Sequence, residues 1–360
     1  MTCTSSVDAL SRPPGRLSFF VAFVRRSASS RTTLSLLLSF GAFICAPCAL
    51  AQESLPAHGI SPNGAIAEIV SAGSFALRQH EYARAIEQFE SALALEAENP
   101  AARSGELQAS TALALEAKAA GNPQRALAIL QHARAALPND PVLLTRLGIQ
   151  AQQMKLPVLA GEALASALAL DPRLPDALYA AARVEIDEDR LQAAEGHLRT
   201  YLEQRPDDAS AHFGLGHVLE RQQRTEAAAA EFKRSIELKP AQTESYFQLG
   251  QMALDIHEDD LARGYFQKVL ARNPAHGGAL AGDGILAYRL KRYSLARERL
   301  AAAVAASPEY QPAHYYLGLT LNRIGERAQA ERELQVAVDL ARKQQGKGEP
   351  VPPEPAGHME

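Results

Sequence analysis

The chain has 360 residues, of which 47% are hydrophobic and 22% are charged, and its formal net charge is −4. This length allows a large buried core, and the composition excludes a chain that is disordered throughout. The apolar residues are mainly alanine and leucine, tryptophan is absent, and the β-branched residues that favour strands are few. The composition therefore predicts an all-α protein.

The first 51 residues predict a secretory signal peptide. Five arginines against one acidic residue, Asp8, form a basic start, and the apolar run LSLLLSFGAFICAPCALA follows at 34–51. This order is typical of a signal peptide cleaved after Ala51, which would place the rest of the chain in the periplasm or outside the cell. The chain would then meet the membrane only transiently, through this segment. Because the run has 18 residues, near the shortest length that spans a bilayer, a retained N-terminal membrane anchor is the alternative.

All three cysteines, Cys3, Cys45 and Cys48, lie in this N-terminal segment. Residues 52–360 therefore contain no disulfide and no thiolate that could act as a nucleophile or a metal ligand. The segment's five arginines and one aspartate carry a charge of +4, so the rest of the chain carries −8. A net acidic chain argues against nucleic acid as a partner.

The rest of the chain repeats with a period of 34 residues. The repeat units are 66–99, 107–140, 141–174, 175–208, 209–242, 243–276, 277–310 and 311–344, with a seven-residue insert at 100–106. Residues 52–65 are rich in proline and glycine and predict a linker. Residues 345–360 are polar and rich in proline, and predict a disordered tail.

Four positions of the repeat carry similar residues from unit to unit. Position 8 is glycine or alanine, position 20 is alanine in all eight units, position 24 is Phe or Leu, and position 32 is proline in six units. Apolar residues at positions 4, 7, 8 and 11, and again at 20, 24, 27 and 28, predict two amphipathic helices in each unit. We expect glycine 8 to lie opposite alanine 20, where the two helices cross, and proline 32 to end the second helix.

This pattern resembles the tetratricopeptide repeat over residues 66–344. The segments EYARAIEQFESALAL at 81–95 and RYSLARERLAAAV at 292–304 are close to the family pattern. The resemblance implies an all-α, right-handed superhelical solenoid of about eight helix-turn-helix units. It also implies a concave surface that binds a partner protein or peptide.

Motifs that would indicate a cofactor, a metal or an enzyme are not recognisable in the repeats. The segments HEYAR at His80 and HEDDL at His257 begin like a zinc-protease helix, but Arg84 and Leu261 replace the second histidine. We therefore expect a protein without a cofactor, without a metal and without enzyme activity.

Two carboxylates occupy positions that are otherwise apolar, Glu185 at position 11 and Asp283 at position 7. A buried carboxylate is unfavourable unless it is paired. Each is therefore expected to reach water or a nearby arginine such as Arg183 or Arg289, or to make a functional contact in the groove. An enzyme with a site dispersed over the groove would have to use Asp283 together with Arg183 and His217.

Positions 2, 5, 9, 12 and 13 lie beside the packed face of each first helix and are expected to line the concave surface. Aromatic residues and arginine, which are enriched in interface hot spots, recur there from the fourth to the eighth unit. We predict a groove that takes an extended peptide or a helix of another protein. The predicted groove residues are Tyr179, Arg183, Phe213, His217, Phe247, Gln251, Tyr288, Arg289, Tyr315, Asn322 and Arg323. Alternatively, the aromatic residues at position 5 only pack the repeat.

The function that follows is a non-catalytic, exported scaffold for protein-protein interaction. The alternative within the same resemblance is a subunit of a cell-envelope machine that assembles or exports polysaccharide or outer-membrane components.

Overall fold

A computed structural model describes the backbone of residues 62–345 and the side chains of residues 63–343. All of these residues belong to one compact unit. The predicted signal peptide, residues 52–61 of the predicted linker and residues 346–360 of the predicted tail lie outside the described part.

Between residues 62 and 345 the chain forms sixteen α-helices and no strand. The helices are α1 (Pro62–Arg78), α2 (Tyr82–Leu95), α3 (Pro100–Ala119), α4 (Pro123–Ala136), α5 (Pro141–Gln153), α6 (Pro157–Leu170), α7 (Pro175–Asp187), α8 (Leu191–Gln204), α9 (Ala209–Arg221), α10 (Thr225–Leu238), α11 (Thr243–Asp255), α12 (Asp259–Arg272), α13 (Gly277–Arg289), α14 (Tyr293–Ala306), α15 (Gln311–Arg323) and α16 (Arg327–Gln345). None of these helices is both long and apolar enough to cross a membrane.

The helices stack as eight consecutive pairs. Each odd-numbered helix packs against the even-numbered helix that follows it, and each pair packs against the next. This arrangement confirms the predicted solenoid of two-helix units. The alanine at position 20 is at most 2% exposed in all eight units, so small side chains hold the paired backbones close together. With no cysteine after residue 51, packing of this kind must supply the stability.

The helix ends follow from local sequence. Asn99, Asp140 and Asp208 accept hydrogen bonds from backbone N–H groups at the starts of α3, α5 and α9, which satisfies donors that have no partner within the helix. At the other end, the proline at position 32 follows the last residue of the second helix by two positions, as in Pro172 after Leu170. The predicted role of this proline is confirmed.

The turn inside each pair has one backbone feature in common: the residue at position 15 has a positive φ in all eight units. These residues are His80, Gly121, Lys155, Asp189, Gln223, His257, Lys291 and Gly325, with φ from 57° to 90°. The left-handed conformation lets the chain leave the first helix and enter the second within three residues. His80 and His257 therefore belong to turns, which explains the two histidine motifs without a metal.

The glycine at position 8 lies where the two helices cross, as predicted: a β-carbon on Gly148 would come within 3.3 Å of the carbonyl oxygen of Ala160 at position 20 and within 2.5 Å of Leu164 Cγ at position 24. Two details of the predicted repeat need correction. The insert at 100–106 is helical, so that α3 has 20 residues where α5 has 13. Seven residues are about two helical turns, which keeps the helix in phase. Finally, α1 begins at Pro62, so residues 62–65 are helix and not linker.

Candidate functional site

The predicted groove residues lie on the first helices of the last five pairs, α7, α9, α11, α13 and α15. Arg183, Asn322 and Arg323 are exposed, and the other eight are partly buried. They do not form one continuous surface. The structure divides them into a group on α7, α9 and α11 and a group on α13 and α15.

The aromatic residues of the first group are fixed by rings of the second helices. Tyr179 packs on Tyr201 with ring centroids 5.3 Å apart, and Phe213 packs on Phe232 at 5.7 Å. Phe247 lies 6.3 Å from Phe266. Part of each position-5 ring still reaches solvent. These rings pack the repeat, as the alternative interpretation proposed, and also leave apolar surface on the inner side.

Polar side chains stand beside these rings. Arg183 is exposed on α7, one helical turn after Tyr179. The imidazole of His217 stacks parallel to Phe213, with 5° between the planes. Its Nδ1 is 3.6 Å from Glu220, beyond hydrogen-bond length, and has no other partner among the described residues. We define the inner surface formed by Tyr179, Arg183, Phe213 and His217 as the open groove.

The inner face of α13 is closed. Gly278, Ala281 and Ile285, at positions 2, 5 and 9, are all buried. Gln251 on α11 donates a 2.8 Å hydrogen bond from Nε2 to the hydroxyl of Tyr310, which precedes α15. Burial raises the pKa of Tyr310 to about 12. Gln251, predicted to meet a partner, therefore meets this chain's own tyrosine.

The second group is a cluster of tyrosines at the end of α13 and in the first half of α15. Tyr288 contacts Tyr316 at 5.8 Å, and Tyr315 contacts Tyr316 at 5.4 Å. Arg323 bonds to Tyr288, and this bond raises the pKa of the arginine. Arg289 binds Asp259 Oδ1 at 2.6 Å and the Leu254 carbonyl at 3.1 Å. Arg289 therefore joins neighbouring pairs and has few donors left for a ligand.

The two unusual carboxylates form pairs with second helices, and neither pairs with the arginine expected from the sequence. Glu185 accepts a 2.8 Å bond from His197 Nδ1 and lies 3.9 Å from Arg190. Asp283 lies 3.2 Å from Arg299 Nε. The expected partners Arg183 and Arg289 are wrong, because the true partners come from the next helix and not from the same one.

These pairs also bear on the dispersed enzyme site. Asp283 is engaged between α13 and α14, while Arg183 lies on α7 and His217 on α9, so the structure shows no direct contact that would make them one site. Within residues 62–345, no three His, Cys, Asp or Glu side chains are grouped closely enough to hold a metal ion.

Two features of the structure were missed by the sequence analysis. Glu106, inside the insert, is fully buried; its Oε1 accepts a 2.6 Å bond from Ser110, and its Oε2 has no partner. Burial, and to a smaller extent the nearby Glu90, raises the pKa of Glu106 to about 7. The sequence gives no sign of this buried glutamate, because the insert lies outside the 34-residue repeat.

The second missed feature is a histidine bridge that occurs in two units. His314 Nδ1 bonds to Glu333 at 2.7 Å, and its Nε2 bonds to the Pro308 carbonyl at 2.9 Å. His212 makes the same two bonds, at 2.6 Å to Glu231 and 3.0 Å to the preceding proline carbonyl. The recurrence of His at position 4 with Glu at position 23 was the available signal.

Comparisons with known proteins agree with this architecture. The family model described as tetratricopeptide repeat matches residues 179–243, 247–310 and 283–345. PilF of Pseudomonas aeruginosa is 20% identical with a TM-score of 0.51, and the match covers 65% of this chain and 98% of PilF. PilW, described as a type IV pilus biogenesis factor, is 19% identical with a TM-score of 0.51, over 57% of this chain and 96% of PilW. No curated protein sequence matches the chain. At such identities the structural likeness concerns the fold alone. The repeat pattern, the eight stacked helix pairs and the family match over residues 179–345 together show that this chain carries tetratricopeptide repeats.

Proposed function

We propose that this protein is an exported, non-catalytic scaffold whose open groove binds a peptide segment of another protein. One observation carries the proposal: the partly exposed aromatic residues Tyr179 and Phe213 lie beside Arg183 and His217 on α7 and α9. In repeat proteins, the stacked first helices present such a surface to partners.

The open groove has the chemistry of a protein interface. Aromatic residues and arginine are enriched at protein interfaces, whereas lysine, aspartate and glutamate are depleted there, and tyrosine and arginine are also enriched among hot spots. The rings of Tyr179 and Phe213 are already held by Tyr201 and Phe232. A partner therefore meets side chains that have little freedom left to lose on binding. The exposed guanidinium of Arg183 would supply directional contacts.

The export part of the proposal rests on residues 1–51 and their signal-peptide pattern. It predicts a mature protein that begins near Gln52 and is released from the membrane. N-terminal sequencing of the protein isolated from its own cells tests this step. A chain that retains residues 34–51 and sediments with membranes would favour the anchored alternative.

The binding part is tested by site-specific photocrosslinking in the cells that produce the protein. A photoreactive phenylalanine analogue replaces Arg183 or His217 in the full chain. The matched control carries it at Lys233, an exposed residue of the second helix α10. We expect the same protein to be captured at 183 and 217 and not at 233. No adduct at the groove positions, or equal capture at all three, would contradict the proposal.

A further inference from the structure

The inner face of α13 differs from the inner faces of its neighbours. At position 2 the fourth, fifth and sixth units carry Asp176, Ser210 and Glu244, all exposed, whereas α13 carries the buried Gly278. At position 5 the neighbours have partly exposed aromatic rings, whereas Ala281 is 0% exposed. The small residues of α13 are therefore covered by other side chains of this protein, although they occupy the positions that were predicted to line the groove.

Phe247 of α11 covers α13 from one side. A β-carbon built on Gly278 would come within 2.5 Å of the Phe247 ring, so glycine is required for this contact. The same ring lies 4.9 Å from the imidazole of His276, which caps the start of α13. Phe247 thus lies over the beginning of α13.

Tyr310 covers α13 from the other side. It precedes α15, and its hydroxyl accepts the hydrogen bond from Gln251 on α11. Because α13 packs between α11 and α15, a direct bond between Gln251 and Tyr310 passes across the inner face of α13. The Tyr310 ring packs into the apolar cluster that contains Ala281 and Ile285. A ligand on α13 would have to break this bond and uncover apolar surface.

We propose that the Gln251–Tyr310 hydrogen bond is a latch that keeps the inner face of α13 covered and so divides the concave surface in two. A peptide bound in the open groove then makes no contacts beyond α11. This inference rests on the proposed function for the partner, but the closure itself is a property of the chain alone. The tyrosine cluster on α13 and α15 is then a separate surface that the same peptide does not reach.

Cysteine labelling tests the closure without any partner. In the full chain with Cys3, Cys45 and Cys48 changed to serine, a single cysteine is introduced as Ile285→Cys or, as the matched exposed control, Ser210→Cys. Isoleucine to cysteine removes volume, so this variant is expected to fold, and circular dichroism checks it. Reaction with a maleimide should be about 100-fold slower at 285 than at 210, because it requires local opening. Similar rates at both positions would overturn the closure.

A second substitution tests the latch. Adding Tyr310→Ala to the Ile285→Cys variant should raise the labelling rate at 285 about tenfold or more, while the same substitution leaves the rate at 210 unchanged. If position 285 stays protected without the Tyr310 ring, the latch does not close α13 and the inference is wrong.

Crosslinking tests how far a bound partner extends along the concave surface. The photoreactive analogue at Asn322, next to the Arg323 that bonds to Tyr288, should not capture the protein captured at 183 and 217. Capture of that protein at 322 would overturn the division of the surface. Failure of the proposed function gives a different result from failure of this inference. In that case no partner is captured at 183 or 217, while the labelling of position 285 is unaffected.

Discussion

Gly216 in α9 lies directly against the ring of Phe232 in α10: a β-carbon on the glycine would come within 2.7 Å of two ring atoms. The same contact joins Gly250 to Phe266 and Gly284 to Leu300. In these three units the large side chain at position 24 fits because position 8 is glycine. This contact sets how closely the two helices of a unit approach.

The change Gly216→Ala should lower the free energy of unfolding by about 1 to 3 kcal/mol, because the new methyl group overpacks against Phe232. Urea denaturation measures it. The matched control is Gly196→Ala in α8, where a β-carbon meets no atom within 4 Å. Alanine in an open helical position should raise the stability by up to about 1 kcal/mol. Equal effects of the two substitutions would contradict the proposed contact.

The histidine bridge of the eighth unit should contribute to the free energy of unfolding. His314 is buried and bonds to Glu333 and to the Pro308 carbonyl. His314→Ala should cost about 1 to 3 kcal/mol of unfolding free energy, because the carboxylate and the carbonyl lose their donor.

The control for this prediction is an exposed pair of the same type. His132 lies 2.8 Å from Glu90 with 65% of its side chain exposed. His132→Ala should change the unfolding free energy by less than about 1 kcal/mol, since exposed ion pairs contribute little. If both histidine variants behave alike in urea denaturation, burial is not what gives the bridge its strength.

The fold was predictable in most respects because its information is local and repeated. Position 20 and the proline at position 32 recur eight and six times, and each has one physical role that the structure confirms. What the repeat could not reveal is which residues meet across helices. The contact of Gly148 with Leu164, and the helical insert before Glu106, depend on how the two helices cross, and spacing alone does not fix that crossing.

Glu106 predicts a pH dependence of stability. Its pKa is raised from 4.5 to about 7 in the folded chain, so the folded state binds this proton more tightly than the unfolded state. The unfolding free energy contributed by this group is therefore largest below pH 4.5, falls as the pH rises to about 7, and is level above that. At about 1.4 kcal/mol per pKa unit, the whole change is about 3 kcal/mol.

The test compares the full chain with Glu106→Gln, which stays neutral and keeps an oxygen that can accept from Ser110. Unfolding free energies are measured by urea denaturation at about pH 5 and about pH 8. The native chain should lose more stability between these two values than the glutamine variant. The same loss in both would mean that Glu106 does not titrate in this range.

The positions of the predicted groove residues on the first helices could be inferred from the sequence, whereas the closure over α13 could not. The stripe of positions 5 and 9 follows from helix geometry, so Tyr179, Phe213 and His217 could be identified. The closure over α13 could not, because it depends on a hydrogen bond between Gln251 and Tyr310, which are 59 residues apart. The local signs were two small residues, Gly278 in place of a polar residue and Ala281 in place of an aromatic residue.

The most direct test of the scaffold account is the affinity of the full chain for the partner captured by crosslinking, measured by isothermal titration calorimetry. The variant carrying Arg183→Ala and His217→Ala is compared with a control carrying Asn322→Ala and Arg323→Ala. All four side chains lie at least partly at the surface. We expect an affinity about tenfold or more weaker for the first variant, a loss of about 1.4 kcal/mol or more, and no change for the control. Unchanged binding by the first variant, or a loss confined to the control, would contradict it.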